Sequence, residues 1–163
     1  MPKNSPRREI HDGLGAISVR GKSDLIITQG NIDATYYQDQ ILTPGLLPLL
    51  NNLPNRDNIE FQHDGCTVHT ARTTQAFLQA NNINVMTPWP PKSPDLNPIE
   101  NIWSIIGTAV RNGPNPPRNP AEMADALRRE WDAIDDWTIR RLIFSMRRRC
   151  SAVINANGGN TKY

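Results

Sequence analysis

An α/β fold with a helical C-terminal end is predicted by three observations along the 163-residue chain. Two short runs rich in β-branched residues flank a turn-forming cluster between Gly13 and Gly30. An alternating run, a helical stretch and a second apolar run then follow one another from Ile59 to Thr87, and three amphipathic stretches close the chain. Hydrophobic residues make up 37% and charged residues 21%, a balance that suits one globular domain and argues against a disordered chain.

The first 12 residues are polar and basic without a strand or helix period, so a loose end is expected there. Leu14 to Val19 and Leu25 to Thr28 are predicted to pair as a β-hairpin about Arg20-Gly21-Lys22-Ser23-Asp24. A helix is expected from Asp33 or Thr35, because Leu42, Leu46, Leu49, Leu50 and Leu53 fall on one face. Pro44 and Pro48 make it one kinked helix or two short ones. Ile59 to Asp64 alternates apolar and polar residues after a turn at Asn55 to Asn58, which predicts a strand ending at Asp64. His69 to Asn82, with Phe77 and Leu78 inward and Thr70 as cap, reads as a helix, and Ile83 to Thr87 as a strand that completes a βαβ unit.

Pro88, Pro90, Pro91, Pro94 and Pro98 exclude regular ladders from the next segment and stiffen it as an extended loop. Ile99, Ile102, Trp103, Ile106 and Val110 then mark an amphipathic helix, which a breaker run from Asn112 to Pro120 ends. Two more helices are predicted, one with Met123, Leu127, Trp131 and Ile134 inward, the other with Ile139, Leu142, Ile143, Met146, Cys150 and Val153 inward. Residues 156–163 form a polar tail.

No apolar run approaches the roughly 20 residues needed to span a bilayer, and MPKNSPRRE lacks the apolar core of a signal peptide. A soluble, intracellular chain with no membrane partner is the expectation, its Cys66 and Cys150 reduced. The formal net charge is only +2. It is unevenly placed: residues 1–100 hold 8 basic and 10 acidic residues, whereas 101–163 hold 10 and 6. Arg140, Arg141, Arg147, Arg148 and Arg149 spread over the last helix opposite its apolar stripe. They form either a solvated face or a surface that binds a nucleic-acid backbone by counterion release.

Two carboxylates stand out. Asp64, before Gly65 at the end of a predicted strand, sits where ligand sites open in α/β sheets, although a turn or capping aspartate looks the same. Glu100 follows Asn97 and Pro98 as the third helical residue, which is the pattern of a capping box worth about 1 kcal/mol. Asn119-Pro120-Ala121-Glu122 repeats that pattern, so pattern alone does not promote Glu100. Its place across the βαβ crevice from Asp64 does, since separated oxygen ligands suit Mg²⁺. His63, Cys66 and His69 also invite a zinc reading. It is weakened because His63 and Asp64 would face opposite sides of a strand.

The segment FQHDGCTVHTARTTQAFLQANNINVMTPWPPKSPDLNPIENIW resembles the catalytic core of the mariner-superfamily DDE transposases. There a strand ending in an aspartate is followed by a histidine and a helix, then by a proline-rich SPDLNPIEN.W segment. GLGAISVRGKSDLIITQGNIDATYYQDQIL resembles the hairpin and helix that precede that aspartate, so the likeness runs from Gly13 to the C-terminal helices. It implies a ribonuclease-H-like mixed sheet flanked by helices over residues 13–155, and two-metal cutting and joining of DNA with Mg²⁺ or Mn²⁺. By motif position Asp64 matches the second catalytic aspartate and Glu100 the third acidic residue, both metal ligands. His69 matches a histidine of site structure or DNA contact, and Asp95 is left as a turn former. Transposon-end and target DNA, a homodimer and, in a eukaryote, a nuclear location are implied with it.

The chain departs from that pattern at its start. The strand carrying the family's first catalytic aspartate has no counterpart, and neither do the helix-turn-helix modules that read transposon ends. Asp12 and Asp24 are the nearest carboxylates, yet neither ends a preceding central strand. A sheet truncated at the N-terminus, with an exposed strand edge, is therefore expected, together with inactivity of this chain alone. A catalytically inactive remnant that binds nucleic acid or itself is the alternative.

Overall fold

The computed structural model of the chain describes residues 11–90, 93–159 and 161–163, for His11 and Asp12 the backbone alone. The hairpin expected in the first third is present, with arms longer than the sequence pattern suggests. Strand β1 (His11–Leu14) pairs antiparallel with β4 (Ile26–Gln29), and β2 (Ile17–Ser18) pairs with β3 (Gly21–Lys22) nearer the tip. Most of the loose end expected over residues 1–12 lies outside the described residues, but His11 and Asp12 are strand, paired opposite Gln29 and Thr28. The turn is also tighter than the five-residue cluster implied, because β3 takes Gly21 and Lys22. Gly21, at φ 137°, supplies the backbone conformation that lets the chain reverse after Val19 and Arg20.

Asp33 caps the next helical stretch through its side chain, which accepts from the Tyr36 N–H. The stretch runs unbroken as α1 (Ala34–Tyr36), a π-helical segment (Tyr37–Leu46) and α2 (Leu47–Asn51). Pro44, which cannot donate an i→i−4 bond, lies in the widened turns. There the Thr43 hydroxyl donates to the Gln38 carbonyl at 2.8 Å, and the helix accommodates the proline without breaking. Tyr37, Ile41, Leu42, Leu46 and Leu50 bury their side chains against Leu78 and Ile83 in the first core cluster.

The βαβ unit is present with shorter strands than the alternation predicts. Strand β5 (Glu60–Phe61) pairs in parallel with β6 (Asn84–Val85), and α3 (Thr67–Thr70) and α4 (Arg72–Ala80) cross between them. Asp64 thus lies in the loop beyond β5 and does not end the strand itself. The helical crossover starts earlier than Thr70: Cys66 is the residue before α3, and Thr70 Oγ1 donates to the Cys66 carbonyl at 3.1 Å from within the helix.

Beyond β6 the described residues of the proline-rich segment are irregular as far as a 3₁₀ turn at Pro94–Leu96, with Pro91 and Lys92 outside the described residues. Helices α5 (Pro98–Asn112) and α6 (Pro120–Ala133) follow as predicted. The last predicted helix is two, α7 (Asp136–Phe144) and α8 (Met146–Asn155), broken at the buried Ser145. That break rephases the inward face, so that Arg149 is buried and Cys150, expected inward, is exposed.

Trp131 centres the second core cluster with Ile102, Ile106, Val110 and Ile139. Its indole donates to the Ser23 carbonyl at 2.9 Å and stacks on Trp103 with ring centroids 5.2 Å apart. The indole passes so close to Gly15 that a Cβ there would come within 2.5 Å of it. Lys22 ties the hairpin to the same place, its ammonium accepted by the carbonyls of Trp131 at 2.7 Å, Asp132 at 3.0 Å and Ile134 at the end of α6. No described helix is long and apolar enough to cross a membrane.

Candidate active site

The described strands form three two-stranded pairs that are not hydrogen-bonded to one another. A cavity of about 690 Å³ lies between the hairpin and β5, lined by Leu14, Ile26, Ile41 and Phe61 among others, and Asp64, His69 and Glu100 all line it too. The two acidic groups singled out in the sequence therefore share one space, although they come from opposite sides of the βαβ unit.

Asp64 is fixed by its own loop. Its Oδ1 accepts from the Cys66 N–H at 3.0 Å and from His69 Nδ1 at 2.7 Å. An ionised carboxylate only accepts, so the bond places a proton on Nδ1 of His69. The His69 ring is held between aromatic neighbours, 4.5 Å from the Tyr37 ring and 5.0 Å from that of His63, while its backbone carbonyl accepts from Gln75 Nε2 at 2.8 Å. Tyr37 was not legible as a site residue, because in sequence it is one more aromatic position of a helix start. Burial, then the charges of Cys66 and Asp64, push its phenol above the usual range.

Glu100 differs from its sequence twin. At the start of α6 the pair is reciprocal, a variant of the capping box: the Asn119 side chain accepts from the Glu122 N–H at 2.9 Å and donates to Glu122 Oε1 at 2.8 Å, while Glu122 Oε2 accepts from the N–H of Arg118, the residue before the cap, at 2.7 Å. At the start of α5 the Asn97 side chain accepts from Ile99 N–H at 3.4 Å, and among the described residues no hydrogen bond holds the Glu100 carboxylate. The reciprocal half of the capping box expected at Glu100 is thus missing, and that carboxylate faces the cavity. Burial first, and the negative charge of Asp64 second, raise the Glu100 carboxyl above its ordinary range.

The other sequence candidates separate. Arg141, Arg147 and Arg148 are exposed, and so is Arg140, whose Nε donates to the Val19 carbonyl at 3.0 Å and ties α7 to the hairpin tip. Arg149 is not a surface group. It is 1% exposed, donates to the Asp95 carbonyl at 2.8 Å, Asn101 Oδ1 at 2.6 Å and Ser145 Oγ at 2.7 Å, and lies 4.8 Å from the Tyr163 ring centroid. Asp95 keeps its turn and gains a second task, since its carboxylate accepts from Thr161 at 3.1 Å, which docks the expected polar tail. Asp24 is exposed and does not line the cavity. His63 leaves the zinc set: its ring stacks on His69, burial holds its imidazole down to about 4, and its buried Nδ1 has no partner, whereas Asp64, Cys66 and His69 come together.

A helix-flanked, split sheet with two carboxylates at one cavity puts the chain in the ribonuclease-H-like fold class. The chain belongs to the DDE superfamily endonucleases, whose family profile matches residues 3–120. It is 29% identical over 149 residues to the Tc3 transposase of Caenorhabditis elegans, covering 91% of this chain and 44% of that one. Its fold superimposes on a pre-cleavage Mos1 transpososome with a TM-score of 0.80 at 20% identity, over 99% of this chain and 49% of the other. The Mos1 catalytic domain solved with raltegravir and Mg gives 0.73 at 22% identity, over 93% and 84%. The chain spans less than half the length of the curated relatives it matches.

Proposed function

We propose that this chain is the catalytic portion of a DNA transposase, in which Asp64 and Glu100 act together on transposon-end and target DNA. The observation that carries this reading is that both groups line one cavity, where no hydrogen bond among the described residues holds the Glu100 carboxylate and the charge of Asp64 adds to burial in raising it. Two carboxylates at one cavity are a donor set for a divalent cation, and their oxygen-only chemistry fits Mg²⁺ or Mn²⁺. Bound as a pair, such ions clamp the attacking and leaving oxygens of a phosphodiester.

The protein supplies placement. The Cys66 N–H and His69 hold Asp64 in one orientation, and the first turn of α5 presents Glu100. Arg140, Arg141, Arg147 and Arg148 are exposed to meet DNA phosphates. The apolar cavity beside the carboxylates would receive a further strand bearing the family's first acidic group. In a eukaryotic cell the work would take place in the nucleus, and joining two transposon ends calls for a homodimer.

Calorimetric titration with Mn²⁺ tests the pair. Affinity is expected to fall in both Asp64→Ala and Glu100→Ala, and any Mg²⁺- or Mn²⁺-dependent nicking of plasmid DNA to end in both. Unchanged Mn²⁺ affinity in Glu100→Ala would overturn the reading. Salt-sensitive DNA binding that survives both substitutions, and weakens when Arg147 and Arg148 are neutralised, is expected alongside.

A further inference from the structure

We infer that Asp64, Cys66 and His69 form a binding site for Zn²⁺, separate in its chemistry from the carboxylate pair although it shares Asp64. One ligand atom from each of the three lies within 4.8 Å of the others. The spacing follows from the local fold. Cys66 occupies the N-cap position of α3 and His69 the third helical position, so both side chains project from the same face of the first turn. In that place a serine or aspartate would spend its side chain on the helix N–H groups. The Cys66 thiol makes no capping hydrogen bond and is free to ligate.

The donor set argues for the metal. Mg²⁺ takes oxygen ligands in near-octahedral geometry, whereas a thiolate, an imidazole and a carboxylate match the mixed ligands of tetrahedral Zn²⁺. Three protein ligands leave a fourth position for water, and Cys66 and Asp64 are both exposed to admit the ion. On binding, the Cys66 thiol loses its proton to solvent, the ion displaces the Nδ1 proton between His69 and Asp64 so that the neutral ring keeps its proton on Nε2, and the metal–sulfur bond forms without any change of oxidation state. Where the proposed function holds, zinc in this site takes the Asp64 carboxylate away from Mg²⁺ and acts as an inhibitor.

The test uses the reduced, full chain and Co²⁺ as a spectroscopic stand-in for zinc. One equivalent of Co²⁺ is expected to give tetrahedral visible bands and a thiolate-to-cobalt charge-transfer band, both bleached by added Zn²⁺. Cys66→Ser should abolish the charge-transfer band, and His69→Gln should weaken Zn²⁺ binding by more than about tenfold, the scale at which even outer partners of metal ligands matter. Cys150→Ser should change neither, and circular dichroism of Cys66→Ser should match the parent. A charge-transfer band that persists in Cys66→Ser, or none in the parent chain, overturns the site. Glu100→Gln separates the two readings, since it should leave the cobalt spectrum intact whether or not it affects Mn²⁺.

Discussion

Arg149 and Gly15 are the positions where a single side chain, or the lack of one, decides most. Among the described residues Arg149 is a buried cation that forms no ion pair, satisfied by a carbonyl, an amide and a hydroxyl from three separate segments. Replacing it with alanine strands those acceptors, and a loss of about 1.5–3 kcal/mol in chemical denaturation is expected for the charged hydrogen bonds alone. Its role was illegible in the sequence, where it continued a run of arginines on a predicted single helix. The break at Ser145 that turns it inward comes from tertiary packing, which helical periodicity does not carry. Gly15 was likewise read as part of an apolar run, and its need for a bare Cα appears only once the Trp131 indole is placed against it. Because the Cβ would meet a ring that is 0% exposed, Gly15→Ala is expected to destabilise by about 1–3 kcal/mol in the same assay.

Helix starts separate structure from function among elements of identical pattern. Asn-Pro-x-Glu opens both α5 and α6, and only the second closes its capping box. Glu122→Ala should therefore cost about 0.5–2 kcal/mol of stability, while Glu100→Ala should leave the thermal midpoint unchanged or raise it, since it removes a carboxylate crowded by Asp64. Equal losses in the two variants would show that Glu100 is a cap. A third start, that of α7, gives a pH signature. Asp135 accepts from the Thr138 N–H at 2.6 Å, and that bond, with others to the same turn, holds its carboxyl below the usual value. The stabilisation is present above the unfolded pKa and is lost as pH falls through the lower folded value. Asp135→Asn should therefore flatten the acid limb of the thermal-midpoint curve. Element identity was legible wherever a long apolar period existed, as in α5 and α6. Strand length at β5 was not, because pairing ends where the chain turns away to form the Asp64 loop, and alternation in the sequence continues past that point.

The whole molecule is two core clusters, one under the π-helical stretch and one around Trp131, with the apolar cavity reaching residues of both. The motif order placed Asp64 and Glu100 on facing sides of the βαβ unit. The opening between the hairpin and β5 depends on which strands pair, and a list of strands does not state their partners. Lined by Leu, Ile and Phe side chains, that opening should take up an apolar fluorescent dye while near-ultraviolet circular dichroism stays native, and the dye should raise the thermal midpoint. No fluorescence gain at neutral pH would mean that the chain closes the opening in solution. The docked C-terminus offers a way to observe this region directly. Thr161 and Tyr163 rest on the turn just ahead of Glu100 and on the guanidinium that braces it, so a fluorophore attached at position 163 becomes a sensor, its emission reporting each time that turn shifts under metal or DNA.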